Sequence, residues 1–505
     1  MQGGVPLFLF RAKRFLLATD ASRDCSLSAR LTEANLGALR DGTCTVDYDR
    51  AGVATGIVHF GPGAFFRAHT AWHIDRLLAR DPRWGICAVS LKTGGLARAL
   101  AEQDFLYTLA ELDAAPTYGV VGALKDYLVG SESPALVFRR LTDPAVKLVT
   151  VTVTEKGYCL DGAGRLDLSH PDIAHDLAEP GAPRSLIGWI AEGLRRRRAA
   201  GLSAFTVLSC DNLVGNGPKL RAAVLGFVRR QGDAGLVDWI ERDVRFPATM
   251  VDSITPRADE TFLKSIADAT GLRDEAAVRR ERFVQWVIED DVPADFPDLA
   301  SVGVTMTKAV KDYELAKLRL LNGTHSALAY MGLAAGHTTV FEAMNDAPLA
   351  GFIEAMMRED VARTLHVGFD IPAYIDRLIA RLRNPAVAHR LSQIAADGSL
   401  KIPYRLLEPA ADLLAADGDA GRLLIPVAAW MRFVVTETRG GRKLDDPLAA
   451  RLAEIGKNAH GVAVDVDLFL SLDDVFPDAV KRNPRFAKGL RDAYANLWVT
   501  ASDSA

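Results

Sequence analysis

The chain has 505 residues and a formal net charge of −4, and charged residues make up 25% of it. This length allows two or more domains and a large core. Charges of both signs are interspersed, which gives no reason to expect nucleic acid or an anionic membrane as a partner. The one basic run, residues 195–198, precedes Gly201 and is typical of a solvated helix C-terminus.

The five cysteines are scattered without a Cys-x-x-Cys pair, and there is no His-Glu-x-x-His sequence. This pattern predicts a reducing, cytoplasmic location and argues against a structural zinc site. No apolar run approaches the roughly 18 residues of a transmembrane helix. Residues 5–10 are apolar, but the basic residues follow them, which is the wrong order for a signal peptide. We therefore expect residues 1–26 to form a weakly ordered extension.

Residues 57–60 form a short apolar run suited to a buried parallel strand. Gly61-Pro62-Gly63 then predicts a turn, and a helix is expected from Ala64. In dinucleotide-binding folds this order brings a pyrophosphate to a helix N-terminus, although a simple tight turn explains the glycines equally well. Arg67 and His69 add hydrogen-bond donors near the same turn.

Three further apolar runs predict buried strands, over residues 86–91, 148–154 and 204–209. Ligands of doubly wound sheets gather beyond the carboxyl ends of such strands. Glu155 and Lys156 follow the strand predicted at residues 148–154 and are candidates for a cofactor pocket. Asn212 follows the strand predicted at residues 204–209. Turns exposed to solvent are the alternative interpretation for each. Lys92 follows the first strand, where NAD-binding folds often have an acid, and this leaves NADP open.

Residues 285–290 also have the pattern of a strand, and from about residue 301 helical periods dominate. We predict an α/β fold, with a Rossmann-type NAD-binding domain over residues 27–300 and a mostly α-helical substrate and catalytic domain over residues 301–505. Asp252 lies between apolar residues of the first domain, which is an unusual place for a carboxylate without a bonding partner.

The segment over residues 313–326 has the composition of one helix, and the apolar run after it predicts entry into a core. At 100° per residue, the side chains that share one face within an arc of about 140° are Glu314, Lys317, Asn322 and His325. A wet surface is the ordinary interpretation of a polar face, but these side chains are chemically dissimilar. A lysine that enters a core tends to lose its proton, because burial disfavours the charged form, and it can then act as a general base.

Asp397-Gly398-Ser399 predicts a helix end with Lys401 just beyond it, and simple capping is the alternative interpretation. Together with the segments above, it completes an ordered set that resembles the long-chain mannitol dehydrogenase family, the polyol-specific dehydrogenases. The matching segments are Gly61-x-Gly63-x-Phe65-x-Arg67, Thr154-Glu155-x-Gly157-Tyr158, Ser209-Cys210-Asp211-Asn212, Phe246-Pro247 through Met250-Val251-Asp252, residues 285–290, Lys317 with Leu321-Asn322-Gly323-x-His325, and Asp397-Gly398-Ser399-x-Lys401.

The resemblance implies a zinc-independent enzyme that uses a nicotinamide cofactor, NAD by family habit with NADP not excluded. It implies that Lys317 is the general base, that Asn212 and Asn322 hold the reacting oxygen, and that Glu314 is a proton-relay carboxylate. The residues that it places at substrate hydroxyls are His325, Asp252 and Lys401, and those that it places at the cofactor are Gly61, Gly63, Phe65 and Arg67.

The sequence also departs from the family pattern. Ser253 stands where the family commonly has arginine, and Gln393 stands where several polyol-oxidising members have arginine. Gln393 is more like the branch that includes D-mannonate oxidoreductases (fructuronate reductases). We therefore expect hydride transfer between NAD and a secondary hydroxyl of a polyol, of the mannitol–fructose kind, with D-mannonate oxidoreductase as the alternative. Gln393 and Lys401 would contact the substrate and decide between the two.

Three other interpretations differ in their consequences. Tyr313-x-x-x-Lys317 fits the tyrosine–lysine pair of short-chain dehydrogenases, whose chains are much shorter. A cofactor-binding regulator without activity would not need the intact set of Lys317, Asn322, His325 and Asn212. A metal-dependent dehydrogenase would lose activity in a chelator. The sequence favours an enzyme with small-molecule partners and no metal, as a monomer or weak homo-oligomer.

Overall fold

The computed structural model describes residues 29–387 and 389–502, with side chains described up to residue 497. The extension expected over residues 1–26 lies outside these ranges. The described chain forms an α/β Rossmann-type part followed by a mostly helical part, which confirms the predicted fold class. None of the helices in the described ranges combines the length and apolar character that a membrane crossing needs.

Twelve strands form three sheets in the described chain. Their bounds are Thr43–Cys44 (β1), Thr55–Phe60 (β2), Gly85–Ser90 (β3), Tyr107–Leu112 (β4), Thr117–Val121 (β5), Leu124–Val129 (β6), Leu148–Val151 (β7), Thr206–Ser209 (β8), Thr249–Asp252 (β9), Val278–Glu281 (β10), Gln285–Glu289 (β11) and Thr305–Thr307 (β12).

The central sheet has the strand order β6-β3-β2-β7-β8, and all neighbouring strands in it are parallel. Its inner strands β2, β3 and β7 are buried almost throughout, as parallel strands covered by helices are. The strands predicted at residues 57–60, 86–91 and 204–209 are confirmed. The run at residues 148–154 is a strand only to Val151. The amide of Thr152 still donates to the carbonyl oxygen of Phe60 at 2.9 Å, but those of Val153 and Thr154 donate to the side chain of Asp211.

Two smaller sheets complete the first part, with strand orders β1-β5-β4-β10 and β12-β11-β9. β11 confirms the strand predicted at residues 285–290. β9 runs antiparallel to β11, so that Asp252 lies opposite Gln285. β12 pairs with β11, and the helices of the second part begin at Val310. The domain boundary near residue 300 stays a prediction.

Helices of the first part pack on both faces of the central sheet, where two separate cores form. Their bounds are Ala64–Ala68 (α1), Thr70–Leu78 (α2), Ala97–Ala101 (α3), Pro134–Leu141 (α4), Pro171–Ala178 (α5), Leu186–Ala199 (α6), Asn216–Arg230 (α7), Ala234–Asp243 (α8) and Glu260–Thr270 (α9). Short 3₁₀ segments lie at Glu33–Ala38, Arg50–Gly52, Pro82–Trp84, Glu155–Tyr158, Leu299–Val302 and, in the second part, Val361–Thr364. The helix expected from Ala64 is interrupted at His69, which separates α1 from α2.

The basic run at residues 195–198 lies in the last turn of α6. Arg197 is fully buried and donates to the carbonyl oxygens of Ser203, at 2.7 Å, and Leu141, at 2.8 Å. The expectation of a solvated run is therefore wrong for Arg197, because backbone carbonyl groups take the place of water around its guanidinium.

The second part is built from α-helices with three π-helical turns. The α-helices are Val310–Ala316 (α10), Gly323–Ala334 (α11), Val340–Asn345 (α12), Ala347–Ala355 (α13), Ile371–Leu382 (α14), Leu391–Ile394 (α15), Gly398–Ile402 (α16), Glu408–Ala415 (α17), Gly421–Arg439 (α18), Ala449–Asn458 (α19), Val462–Leu470 (α20), Asp478–Lys481 (α21) and Pro484–Ser502 (α22). The π turns are Lys317–Asn322, Met356–Asp360 and Pro403–Leu407.

α11 is buried along nearly its whole length, from Gly323 to Tyr330, and packs against α18. A helix that is apolar on all sides belongs in a core. This confirms that the helix over residues 313–326 enters a core, and it places the polar side chains at its start next to the first part of the chain.

Candidate active site

The predicted polar helix is not a regular α-helix. A π turn, Lys317–Asn322, separates α10 from α11, with Lys317 at its first position and Asn322 at its last. Single π turns inside α-helices occur often at functional sites. Because a π turn holds more residues than an α turn, the rotation of 100° per residue assumed for the helix does not apply between Lys317 and Asn322.

Lys317 is buried, with 9% of its surface exposed. Its Nζ donates to Oδ1 of Asn212 at 2.8 Å and to the carbonyl oxygen of Val251 at 2.7 Å. Burial lowers the pKa of the Lys317 ammonium; the charge of Asp252 opposes this shift, and the charge of Arg381 adds to it. The ammonium therefore loses its proton more easily than an exposed lysine does, which is what a general base requires.

The position of Asn212 depends on the preceding residue, Asp211. One carboxylate oxygen of Asp211 accepts from the hydroxyl of Tyr158 at 2.7 Å, and the other accepts from the backbone N–H of Thr154 at 3.1 Å. These bonds join the carboxyl ends of β7 and β8. Two of the matching sequence segments thus form one hydrogen-bonded corner that holds Asn212 towards Lys317.

Glu314 also contacts the loop that follows β8. Its Oε1 accepts from the backbone N–H of Gly215 at 3.0 Å. Burial raises the pKa of the Glu314 carboxyl, while the Gly215 N–H and the charges of nearby lysines, including Lys317, oppose the rise. A carboxyl group with a raised pKa next to a buried lysine has the chemistry of a proton carrier.

Asp252 has the bonding partner that its apolar surroundings require. Its carboxylate accepts hydrogen bonds from both terminal nitrogens of Arg381, with 2.9 Å between Nη2 and Oδ1. Arg381 also binds both oxygens of Glu281, each at 2.6 Å. Burial alone would raise the pKa of Asp252, but the charges of Arg381 and Lys317 outweigh it and lower the pKa. Asp252 therefore stays ionised beside Lys317.

His325 is buried, and its Nε2 has no hydrogen-bond partner among the described residues. Its ring lies edge-on to that of His389, with 5.1 Å between centroids. Burial, followed by the charges of His389, Arg381 and Arg405, lowers the pKa of His325 well below its usual range. A neutral, unpartnered ring nitrogen in a buried position is suited to a hydrogen bond with a ligand hydroxyl.

Lys401 and Gln393 are the remaining residues predicted at the substrate. A helix does end within the predicted segment, since α15 ends at Ile394. Asp397, with a φ of 53°, precedes the next helix, α16, so Lys401 lies within a helix and not beyond one. Nζ of Lys401 donates to the carbonyl oxygens of Ala396, at 2.6 Å, and Ile394, at 3.3 Å. Gln393 is exposed on α15.

The glycine turn after β2 opens into a cavity of about 640 Å³. Gly61 has a φ of 89°, and a side chain on it would collide with the carbonyl oxygen of Thr152, so glycine is required there. The cavity is lined by Gly61, Gly63, Lys92, Lys156 and other residues at the carboxyl ends of β2, β3 and β7. Its size, its glycine cradle and its position at the edge of a parallel sheet fit a dinucleotide.

Three residues expected at the cofactor do not line this cavity. Arg67 is buried, donates to the carbonyl oxygen of Ala276 and lies over the ring of Tyr107, so its guanidinium is held within the protein. Phe65 stacks on His69, with 4.9 Å between ring centroids. Glu155 is exposed on its 3₁₀ turn. The family resemblance placed Phe65 and Arg67 at the cofactor, and the position of Glu155 just after a predicted strand placed it there too.

No group of three or more His, Cys, Asp or Glu side chains in the described ranges is arranged to hold a metal ion.

Residues 55–301 match the family model described as the mannitol dehydrogenase Rossmann domain, and residues 309–498 match that of the mannitol dehydrogenase C-terminal domain. The chain belongs to the mannitol dehydrogenase family. It is an oxidoreductase of that family.

Relatives in the mannitol dehydrogenase family are named for different activities. The D-mannonate oxidoreductase of Escherichia coli strain K12 is 41% identical over 464 residues, which cover 89% of this chain and 94% of that protein. The mannitol 2-dehydrogenase of Phaeosphaeria nodorum is 36% identical over 482 residues, covering 93% of this chain and 83% of that protein. The structure of Pseudomonas fluorescens mannitol 2-dehydrogenase with NAD and D-mannitol superposes with a TM-score of 0.79 at 34% identity, covering 94% of this chain and 98% of that one.

Sequence reasoning missed two arginines at the centre of this candidate site. Arg381 holds Asp252, and Arg405 donates through Nη1 to the carbonyl oxygen of Asn322 at 3.3 Å. The isolated carboxylate at Asp252 indicated that a cationic partner was needed, but not where in the chain it would be. Arg405 lies four residues after Lys401, within the π turn Pro403–Leu407.

Proposed function

We propose that the chain transfers a hydride between a nicotinamide dinucleotide and a secondary hydroxyl of a polyol, with Lys317 as the general base. The observation that carries this proposal is the buried Lys317 ammonium, with a lowered pKa, in contact with Asn212 at a strand end of the Rossmann-type domain. When bound, the nicotinamide ring supplies the hydride acceptor.

In the oxidation direction, neutral Lys317 takes the proton of the substrate hydroxyl on Nζ. Because Oδ1 of Asn212 faces Lys317, the amide N–H groups of Asn212 are left to donate to the substrate oxygen. Asn322 supplies the second amide, so that both donors stabilise negative charge as it develops on that oxygen. Glu314 then carries the proton from Lys317 towards solvent.

The other predicted site residues bind the rest of the substrate. Ionised Asp252 accepts from a substrate hydroxyl while Arg381 fixes its position, and Nε2 of His325 binds a second hydroxyl. Lys401 and Gln393 contact the end of the substrate chain. No metal is needed in this scheme, because Lys317 moves the proton and the two amides stabilise the oxygen.

We propose NAD as the cofactor, bound by the cavity that Gly61, Gly63 and Lys156 line. A 2′-phosphate would require a free cation after β3. Lys92 is at that position, but its Nζ lies 2.9 Å from Oδ2 of Asp172, and this ion pair offsets its charge. The resemblance to an NAD complex of mannitol 2-dehydrogenase supports the same choice.

A sugar acid is the second candidate substrate. The family resemblance leads us to expect arginine in polyol-oxidising members at the position of Gln393, and a D-mannonate oxidoreductase is 41% identical to this chain. On this alternative the enzyme interconverts D-mannonate and fructuronate by the same chemistry at Lys317.

Nicotinamide absorbance in a paired panel tests the proposal. One arm offers mannitol, arabinitol, sorbitol and mannonate with NAD or NADP, and the other offers fructose and fructuronate with the reduced cofactors. We expect turnover with at least one pair, NAD above NADP in kcat/KM, and full activity after treatment with a chelator. Tight NADH binding without turnover on any substrate would contradict the proposed reaction.

A further inference from the structure

Arg405 lies directly against the proposed catalytic helix. Its Nη1 donates to the carbonyl oxygen of Asn322 at 3.3 Å and to Oγ of Ser326 at 3.1 Å. The two π turns approach closely because Gly323 has no side chain: a Cβ there would lie 2.9 Å from the carbonyl oxygen of Arg405. The guanidinium is thus positioned by contacts with the same segment that carries Lys317 and Asn322.

The charge of Arg405 is not compensated by the protein. Among the described residues, no carboxylate forms an ion pair or hydrogen bond with it, and its two hydrogen bonds go to neutral oxygens. Burial lowers the pKa of its guanidinium to about 10, which still leaves it charged at neutral pH. Arginines in partly buried positions usually have an acidic partner, because removing a charge from water is costly.

Two other cations of the site, Arg381 and Lys401, differ from Arg405 in this respect. Arg381 is bound by Asp252 and Glu281. Nζ of Lys401 donates to two carbonyl oxygens and lies 3.9 Å from Oδ2 of Asp397. Unlike Arg381 and Lys401, Arg405 has no carboxylate of a described residue within ion-pair distance.

Two nitrogens of Arg405 remain available. Nε and Nη2 donate to no described residue, and neither is among the fully enclosed side-chain atoms that lack a partner, so both reach open space. The charge of Arg405 also contributes to the lowered pKa values of Lys317, His325 and Lys401. The guanidinium is therefore within electrostatic range of all three expected site residues.

We propose that Arg405 binds the carboxylate of a sugar-acid substrate and so selects a sugar acid over a neutral polyol. Adjacent Nε and Nη2 hydrogens match the two oxygens of a carboxylate, and such bidentate, charge-assisted pairs are the strong ones. A neutral polyol would leave the charge of Arg405 unpaired, so the same residue would disfavour it. This assignment rests on the proposed hydride transfer at Lys317, and it chooses between its two candidate substrates.

Reduction of fructuronate and fructose with NADH tests the assignment, because the two substrates differ in whether the terminal group is a carboxylate or a hydroxymethyl group. The variants are Arg405→Gln, Arg405→Lys and, as a matched control, Ser326→Ala, which removes one hydrogen bond of Arg405 but not its charge. Thermal unfolding of each variant checks that it is folded.

We expect the wild type to prefer fructuronate. Arg405→Gln should lower the ratio of kcat/KM for fructuronate to that for fructose by about 10–100-fold, mainly through KM, the scale of losing a hydrogen bond between charged groups. Arg405→Lys keeps the positive charge but loses the paired N–H groups, so its ratio should lie between those of the wild type and Arg405→Gln. Ser326→Ala should keep the wild-type ratio. If Arg405→Gln does not fold, the kcat/KM ratio of Arg405→Lys is compared with that of the wild type instead.

Equal losses on both substrates, or an unchanged ratio, would overturn the role of Arg405 as a specificity residue. A wild type that reduces fructose but not fructuronate would overturn it too, while leaving the hydride transfer at Lys317 intact. If the enzyme neither reduced fructose or fructuronate nor oxidised mannitol or mannonate, that result would instead overturn the proposed function.

Discussion

Nζ of Lys317 lies 2.8 Å from Oδ1 of Asn212, although 105 positions separate the two residues in the chain. Lys317 opens a π turn in the helical part, and Asn212 follows β8 of the Rossmann-type part. The site therefore exists only where the two parts pack together. In the proposed mechanism, each part supplies one amide for the reacting oxygen, and the helical part also supplies the base.

Asn322→Ala should lower kcat by about 10²–10³-fold, the usual cost of removing one donor to a developing oxyanion. KM for the polyol or sugar acid should change less, because the bond strengthens as charge develops. Asn345→Ala, an exposed asparagine at the end of α12, is the matched control and should retain wild-type kinetics. A loss confined to KM would remove Asn322 from the oxyanion site.

The two reaction directions should show opposite pH dependence. Oxidation needs neutral Lys317, so its kcat/KM should rise with pH through the pKa of Lys317, which burial places below the usual lysine value. Reduction needs the ammonium form, so its kcat/KM should fall as pH rises through the same range. Parallel profiles in the two directions would contradict a lysine base.

Asp252→Asn should move both midpoints to lower pH. The negative charge of Asp252 opposes the lowering of the pKa of Lys317, so removing that charge lets the pKa fall further. The pH profiles of kcat/KM for the variant and the wild type measure the shift. A midpoint that moves to higher pH would show that Asp252 does not act on Lys317 in this way.

Arg381→Met should destabilise the protein strongly. It leaves the buried carboxylates of Asp252 and Glu281 without their cation, and breaking such a pair typically costs about 3–5 kcal/mol. The exposed Arg377, four residues earlier on α14, gives the control: Arg377→Met should change stability by no more than about 0.5 kcal/mol. Urea unfolding measures the free energy of unfolding of both variants. If the two substitutions lowered it equally, the ion pairs of Arg381 would not be needed for stability.

Tyr313→Phe distinguishes this site from that of a short-chain dehydrogenase. The ring of Tyr313 stacks on Phe369, with 4.5 Å between centroids, so its environment is a packing contact in which the hydroxyl is not needed. Turnover of the variant should stay close to that of the wild type. Loss of the chemical step with intact cofactor binding would instead assign the catalytic hydroxyl to Tyr313.

Much of this arrangement follows from local sequence. The apolar runs at β2, β3, β8 and β11 predict strands because the buried residues of each strand are consecutive in the sequence. The mixed polar face of the helix over residues 313–326 identified Lys317, which lies beside Asn212 and close enough to Asp252 for their charges to interact. The glycines of the turn after β2 pointed to the cavity that Gly61 and Gly63 line.

The remaining features depend on contacts that local patterns do not encode. Arg381 pairs with Asp252 across 129 positions, and no spacing rule links the two. Arg405 gains its place from a π turn packed on Gly323, and π turns have no sequence pattern that periodicity reveals. Arg67 was expected at the cofactor from its place in the segment, but its side chain points to Ala276 and Tyr107.

Turnover of Lys317→Ala beside Lys311→Ala tests the central claim most directly, since Lys311 is an exposed lysine on the same helical segment. We predict that Lys317→Ala lowers kcat by about 10²–10⁴-fold, the contribution of a positioned general base, and that its Kd for NADH, measured by fluorescence, stays at the wild-type value. Lys311→Ala should match the wild type in both measurements. Near-normal turnover of Lys317→Ala would contradict the account.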